Sequence, residues 1–462
     1  MLRSSIRRPI RCCWPALVAL AVAACDAPQA PPGAGTPAAA PPASAAAATP
    51  PWQVADWPLP IDGGAQPDLI ATPDGGLLLS WIESRDGLHT LKFARADAAG
   101  RWRDAPRAIA HGRDWFVNWA DTPHLAVSAD GALWAHWLRK SGEAPYAYDV
   151  VLVRSADGGA HWSAPLAVND DGTPTEHGFV SLWAEGADAM RVAWLDGRAS
   201  GKGEGHGEHA AHGGAMTLRS ARFGADLQRS GEAVLDARTC DCCQTDAAAT
   251  ARGALLAYRD RDEREVRDIA VVRLVDGAWT APQAVHGDGW VMPGCPVNGP
   301  AVAARGERAL VAWYTGAGEA PSLRVAASAD GGARFAAPLI LDRGEAVQGR
   351  VDLALDADRA WVLWMREDGA GQRLQLARLA PDLAREDQRL SVAQVRGRGR
   401  GTGFPQLALA GGAAYAVWTD LADGRPRLRG ARVQPVATVR SKGESNIADG
   451  AITGSSSGTR SP

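Results

Sequence analysis

Four cysteines sit where thiol chemistry can concentrate. Three lie in Thr239-Cys240-Asp241-Cys242-Cys243-Gln244 and the fourth in Gly294-Cys295-Pro296-Val297-Asn298-Gly299-Pro300. Two chemistries suit such a set. Disulfides are the first, either one bridge plus a thiol pair or two bridges, with Cys295 joined to one of the trio and the remaining two to each other; a direct Cys242–Cys243 bond would be strained. The second is a thiolate or mixed thiolate–imidazole metal centre, for which closely spaced soft ligands favour copper(I) or zinc. No cofactor is certain from the spacing, because Cys-x-Cys-Cys matches no zinc-ribbon pattern.

Imidazoles are at hand in a Gly-rich segment, Ser200 to Gly214, which carries His206, His209 and His212 with Glu204 and Glu208. Such a segment suits a metal-sequestering loop as well as a solvated insertion. A third group is charged: Tyr258-Arg259-Asp260-Arg261 followed by Arg267-Asp268. With His286, Asp288, Trp290, Asn298 and Arg350 it can line a polar pocket with an aromatic wall. Arg198 and Arg366 add guanidinium groups, which clamp carboxylates by paired hydrogen bonds. Asp68, Asp196, Asp260 and Asp352 are the candidate carboxylates for acid–base work.

The ends of the chain have other compositions. Arg3, Arg7, Arg8 and Arg11 precede an apolar stretch from Trp14 to Ala24, then Cys25. A basic start, a short apolar core and small residues describe a secretory leader, residues 1–24, too short for a membrane span. Val22-Ala23-Ala24-Cys25 resembles a lipobox, which implies acylation of Cys25 and a lipid anchor in a bacterial envelope membrane. Residues 25–51 are nearly all Ala, Pro, Gly and Thr and read as a tether; residues 436–462 read as a disordered tail. The net charge of -3 gives no reason to expect nucleic acid.

What must position the chemistry is the body, residues 52–435, and it is a repeat. A short apolar strand, a Gly-containing turn and an alternating strand with an aromatic recur. The aromatics are Trp81, Trp137, Trp194, Tyr258, Trp313, Trp364 and Trp418, spaced by roughly 50 to 65 residues, the length of a four-stranded sheet. The expectation is an all-β chain, a single β-propeller of four-stranded blades. The count is seven, or six if one copy is an insertion. The last copy, Phe404 to Val433, stops one strand short, and a strand near Trp57-Pro58-Leu59-Pro60 is expected to complete it. In this arrangement the cysteines, the histidine segment and the charged cluster all fall on the loop-rich face.

Ser155-Ala156-Asp157-Gly158-Gly159-Ala160-His161-Trp162 and Ser328-Ala329-Asp330-Gly331-Gly332-Ala333-Arg334-Phe335 both read S-x-D-x-G-x-x-W/F. They resemble the Asp boxes of the sialidase superfamily, with weaker versions at Asp97 to Trp102 and Asp276 to Trp279. The resemblance implies structural roles for Ser155, Asp157, Gly159 and Trp162, and for Ser328, Asp330, Gly332 and Phe335, on the face opposite the active site. It also implies a three-arginine carboxylate clamp, a Tyr/Glu nucleophile and an Asp acid/base. No Arg-Ile-Pro sequence follows the leader here, and no Tyr/Glu pair is evident among five tyrosines. The leading expectation is therefore a monomeric envelope protein that binds, and if catalytic hydrolyses, a glycan or small acidic ligand. The alternatives are a copper or zinc or redox-linked propeller and a non-catalytic interaction scaffold.

Overall fold

The computed structural model describes residues 51–61, 63–201 and 215–436. The leader, Cys25, most of the tether, His206, His209, His212 and the tail lie outside the described residues.

Alternating strands and glycine-punctuated turns produce seven antiparallel sheets, six of them with their strands in sequence order and the seventh completed by the first strand of the body. The innermost strands are Ala65–Ala71, Leu125–Val127, His177–Glu185, Asp246–Thr250, Ala301–Arg305, Val347–Leu355 and Gln406–Ala410, for blades 1 to 7. Each packs against the next, and the seventh against the first, so the ring closes. Blade 4 has a broken outer edge, made of Ala278–Trp279 and Gln283–Ala284. Apart from one 3-10 turn at Gly399–Thr402, the described residues hold no helix.

Blade 7 is closed by the N-terminal end of the body, as its missing strand required. The closing strand is Trp52–Asp56, paired with Arg425–Pro435 from Trp52↔Pro435 to Asp56↔Ala431. The expected position near Trp57–Pro60 is therefore corrected. Pro58 and Pro60 have no N–H to give a ladder, and only Trp57 N reaches Gly430 O, at 3.0 Å.

The recurring aromatics all lie on second strands. Trp81, Trp194, Trp313 and Trp364 are fully buried. Their indole N–H groups find carboxylates: Trp194 donates to Asp196, Trp313 to Asp288 and Trp364 to Asp342, at 2.7–2.8 Å. Arg198, Arg324 and Arg366 in turn hold those three acids. Asp196, Arg198 and Arg366 thus belong to the lattice that seats the core indoles.

Both Asp boxes form. Ser155 Oγ donates to Asp157 Oδ1 at 2.8 Å and accepts Gly159 N at 2.8 Å, while Asp157 also accepts His161 N at 2.9 Å. Ser328, Asp330, Gly332 and Arg334 repeat those bonds. Gly159 has φ 86°, and a Cβ on it would stand 2.3 Å from the Phe93 ring of the preceding blade, so only glycine fits. Trp162 meets Phe93 edge-on.

Carboxylates also stitch blade to blade. Asp68 accepts Leu125 N at 2.7 Å, Asp121 accepts Phe179 N at 2.8 Å and Asp246 accepts Val302 N at 2.6 Å. Asp352 accepts Leu407 N, and Asn298 Oδ1 accepts Arg350 N at 2.8 Å. Asp68 and Asp352, expected as acid–base candidates, are ring-closing acceptors. A central channel of about 550 Å³ runs between them. Its loop-rich end is roofed by the segment leading into blade 2. There Ala120 O accepts Gln244 Nε2 at 2.7 Å and Trp119 stacks on Phe404 at 5.8 Å.

Candidate functional site

The segments leading into blades 4 and 5 meet on the loop-rich face and bring the four cysteines together. Cys240 and Cys243 are fully buried, Cys242 nearly so, and Cys295 is half-buried. Cys240 Sγ stands 3.4 Å from Cys243 Sγ and 3.9 Å from Cys242 Sγ, and the Cys295 thiol faces Cys242. A disulfide needs about 2.05 Å. The expected bridges are therefore not formed, and all four residues are thiols.

The sulfurs are held apart as hydrogen-bond acceptors. Arg267 Nη1 donates to Cys240 Sγ at 3.1 Å, and Asn298 N donates to Cys243 Sγ at 3.4 Å. Burial works to raise the Cys240 thiol. The Cys242 and Cys243 thiols pointing at it and the Arg267 charge outweigh burial, and hold it well below the ordinary thiol range. Its two neighbours are displaced upward, Cys242 mainly by its thiol neighbours and Cys243 mainly by burial. The trio belongs to the buried apolar cluster that also holds Phe179, Trp183, Leu256 and Tyr258, so these charges act in an apolar setting.

Arg267 also pairs with Glu265 at 2.8 Å, and Glu265 takes Arg261 at 2.7 Å. Arg261 reaches Asp241 at 3.1 Å. Burial pushes the Asp241 carboxyl up to about 6 despite that partner. Burial likewise pushes Asp260 up to about 6, helped by the charges of Asp236, Asp262 and Asp268. Asp268 positions Trp290 by accepting Gly289 N at 2.8 Å and Trp290 N at 3.0 Å. The indole lies against Gly316, where a Cβ would stand 2.8 Å from its Nε1.

Beneath the indoles are two buried guanidinium groups. Arg259 donates to Asn298 O at 2.7 and 3.0 Å, to Arg267 O at 2.6 Å and to Tyr314 O at 2.8 Å, with Trp290 over it at 4.9 Å. Arg350 sits on a β-bulge with φ 49°. It donates to Thr402 Oγ1 at 2.8 Å, Gly403 O at 2.9 Å and Gly399 O at 3.0 Å, beneath Trp119 at 5.1 Å. These acceptors are all neutral, and burial drags Arg350 down to about 10. Arg400, exposed, covers the other approach to Trp119 at 5.9 Å.

The expected residues Arg259, Arg267, Asn298 and Arg350 thus form one contiguous group with the cysteines, Asn298 touching Arg259, Arg350 and Cys243 at once. Asp260, Arg261 and Asp268 lie beside it as the scaffold of Trp290 and Glu265. The arginines differ from the expected solvent-facing clamp. They point inward because loop carbonyls, which leave no mark in a sequence, receive them.

A second cluster was not legible in the sequence. On the seam between blades 2 and 3, Tyr148 donates its hydroxyl to Glu176 Oε1 at 2.7 Å and approaches Asp121 Oδ2 at 3.3 Å. A Tyr/Glu pair therefore exists, although none was evident from the sequence. Phe116 stacks on Tyr148 at 4.0 Å, and the tyrosine is 1% exposed. Burial, with the charges of Glu176 and Asp121, holds its phenol well above the usual range. His177, wholly buried beside it, reaches Asp171 at 3.1 Å.

No family model matches the chain, and no curated protein matches it. Solved structures do match. The polysaccharide lyase Uly1 is 8% identical, over 81% of this chain and 90% of that one, with a TM-score of 0.49. The NanB sialidase of Streptococcus pneumoniae is 8% identical, over 78% and 83%, at 0.42. An alpha-L-arabinanase of Penicillium chrysogenum is 12% identical, over 83% and 95%, at 0.41. The chain is a seven-bladed β-propeller whose second and fifth blades carry Ser-Asp-Gly hairpins of the S-x-D-x-G-x-x-W/F form.

Proposed function

We propose that this protein binds an acidic glycan on its loop-rich face, over the seam of blades 4 to 7, and that it does so at the bacterial cell envelope as an exported monomer anchored through Cys25. The observation that carries this reading is the pair of buried guanidinium groups, Arg259 and Arg350, bonded only to neutral acceptors beneath indoles. A buried charge without a counter-ion is costly, and an anionic ligand settling above it relieves that cost. Sugar rings stack on aromatic faces, and Trp290, Trp119 and Phe404 supply aromatic rings at this face, with exposed Arg400 against Trp119. The reading is binding without turnover, because the Tyr148–Glu176 pair is enclosed.

The test is a glycan array probed with the purified protein, set with sialylated, uronate-containing, sulfated and neutral oligosaccharides. Retention of acidic over neutral members is expected, with loss of retention in Trp290→Ala and Arg400→Ala. Equal retention of neutral members, or indifference to both substitutions, would overturn the proposal.

A further inference from the structure

We infer that Cys240, Cys242, Cys243 and Cys295 form a binding site for one thiophilic d10 metal ion, zinc(II) on all four sulfurs or copper(I) on three. Three of the thiols have their sulfur atoms within 4.8 Å of one another, and the fourth faces Cys242 from the adjoining segment. With a Zn–S bond of about 2.3 Å, the edge of a tetrahedral thiolate site is about 3.8 Å. The separations of Cys240 from Cys243 and Cys242, 3.4 and 3.9 Å, bracket that edge, so these sulfurs stand at the spacing of ligands sharing one ion.

The surroundings suit thiolates rather than thiols. Metal-bound sulfur is stabilised by N–H donors around it. Here Arg267 Nη1 serves Cys240 and the backbone N–H of Asn298 serves Cys243. Four thiolates on zinc(II), or three on copper(I), leave a net charge of minus two. Arg267, which the cluster shares with Glu265, and Arg259 beside the cluster bring positive charge to it. Cys295 is the most exposed of the four and marks the side from which an ion enters. Ordinary buried cysteines are isolated small hydrophobes with no cation aimed at their sulfur.

The whole protein, purified reduced and without oxygen, would be titrated with cobalt(II), whose thiolate-to-metal charge-transfer absorption grows with the number of sulfur ligands. One equivalent should bind with that absorption, and one equivalent of zinc(II) or copper(I) should displace it. Cys240→Ser and Cys243→Ser should abolish the absorption, and Arg267→Gln should weaken binding about 10- to 100-fold with Arg267→Lys partly restoring it. Cys295→Ser separates the ions, since zinc(II) binding should weaken and copper(I) binding persist. Reduced, folded protein that shows no thiolate charge transfer with cobalt(II) would overturn the inference. So would stoichiometric zinc(II) or copper(I) uptake that survives Cys240→Ser and Cys243→Ser. No glycan enters the assay, so its failure leaves the glycan reading standing, and the converse holds.

Discussion

The seam of blades 2 and 3 and the seam of blades 4 and 5 carry comparable polar content and arrange it in opposite ways. At the first, Tyr148, Glu176, Asp121, His177 and Asp171 bond to one another, and Phe116 closes the top. At the second, Arg267 is shared between Glu265 and the Cys240 sulfur, and Arg259 bonds only to backbone carbonyls, so the Arg259 charge has no carboxylate among its hydrogen-bond partners. A network satisfied from within rigidifies a fold, whereas one with donors and charge left over has something to offer a ligand. The better-looking catalytic set, by residue type, is therefore the less available one.

The largest effect that sharpens this contrast is on stability. Tyr148→Ala removes a buried ring and leaves Glu176 and Asp121 facing each other, and should cost about 3–5 kcal/mol in urea unfolding. Cys242→Ser, which keeps volume and a hydroxyl donor, should cost less than about 2 kcal/mol by the same measurement. Equal losses would mean that the thiol seam is as structural as the tyrosine seam.

A pH effect of intermediate size follows. Burial first, then the Glu176 charge, pushes Asp121 up to about 7, while the N–H of Phe179 opposes. In the channel wall Asp246 and Asp352 are raised by burial to about 6 and about 8. A folded pKa above the unfolded value means that the native state holds the proton more tightly. The stabilisation is complete below the unfolded pKa of about 4 and is lost as pH rises through 6 to 8. The melting temperature should therefore fall across that window, and Asp121→Asn should remove the part centred near 7. A melting temperature that rises through the window would contradict the assignment.

The smallest expected effect lies at the rim. Arg101→Ala breaks an exposed pair with Asp97 at 2.8 Å and should leave the unfolding midpoint and glycan retention unchanged. A large loss of retention would move the site to the opposite, Asp-box face.

The fold was legible because its signals are local. Asp157 and Asp330 tie hairpins within a few residues, and the spacing from Trp81 to Trp418 marks one aromatic per blade. The closing strand was misplaced by a few residues since Trp57-Pro58-Leu59-Pro60 is the more apolar stretch, while Trp52–Asp56 has the N–H groups a ladder requires. The gathering of the cysteines was legible too, because segments at equivalent points of adjacent repeats must meet. Tyr148 and Glu176 belong to different blades and meet only across a seam, which no spacing rule encodes. The inward turn of Arg259 and Arg350 was hidden for a related reason, since backbone carbonyls accept their protons.

The central claim is that the loop-rich face over Arg259 and Arg350 recognises negative charge on a sugar. Its most direct test is calorimetric titration of the protein with one acidic oligosaccharide retained on the array and with its neutral counterpart lacking the acidic group. The account expects saturable binding of the acidic sugar, weakened by added salt and by Arg400→Ala, and at least tenfold weaker binding of the neutral one. Equal affinity for the two sugars, or binding that salt and Arg400→Ala leave unchanged, would contradict it.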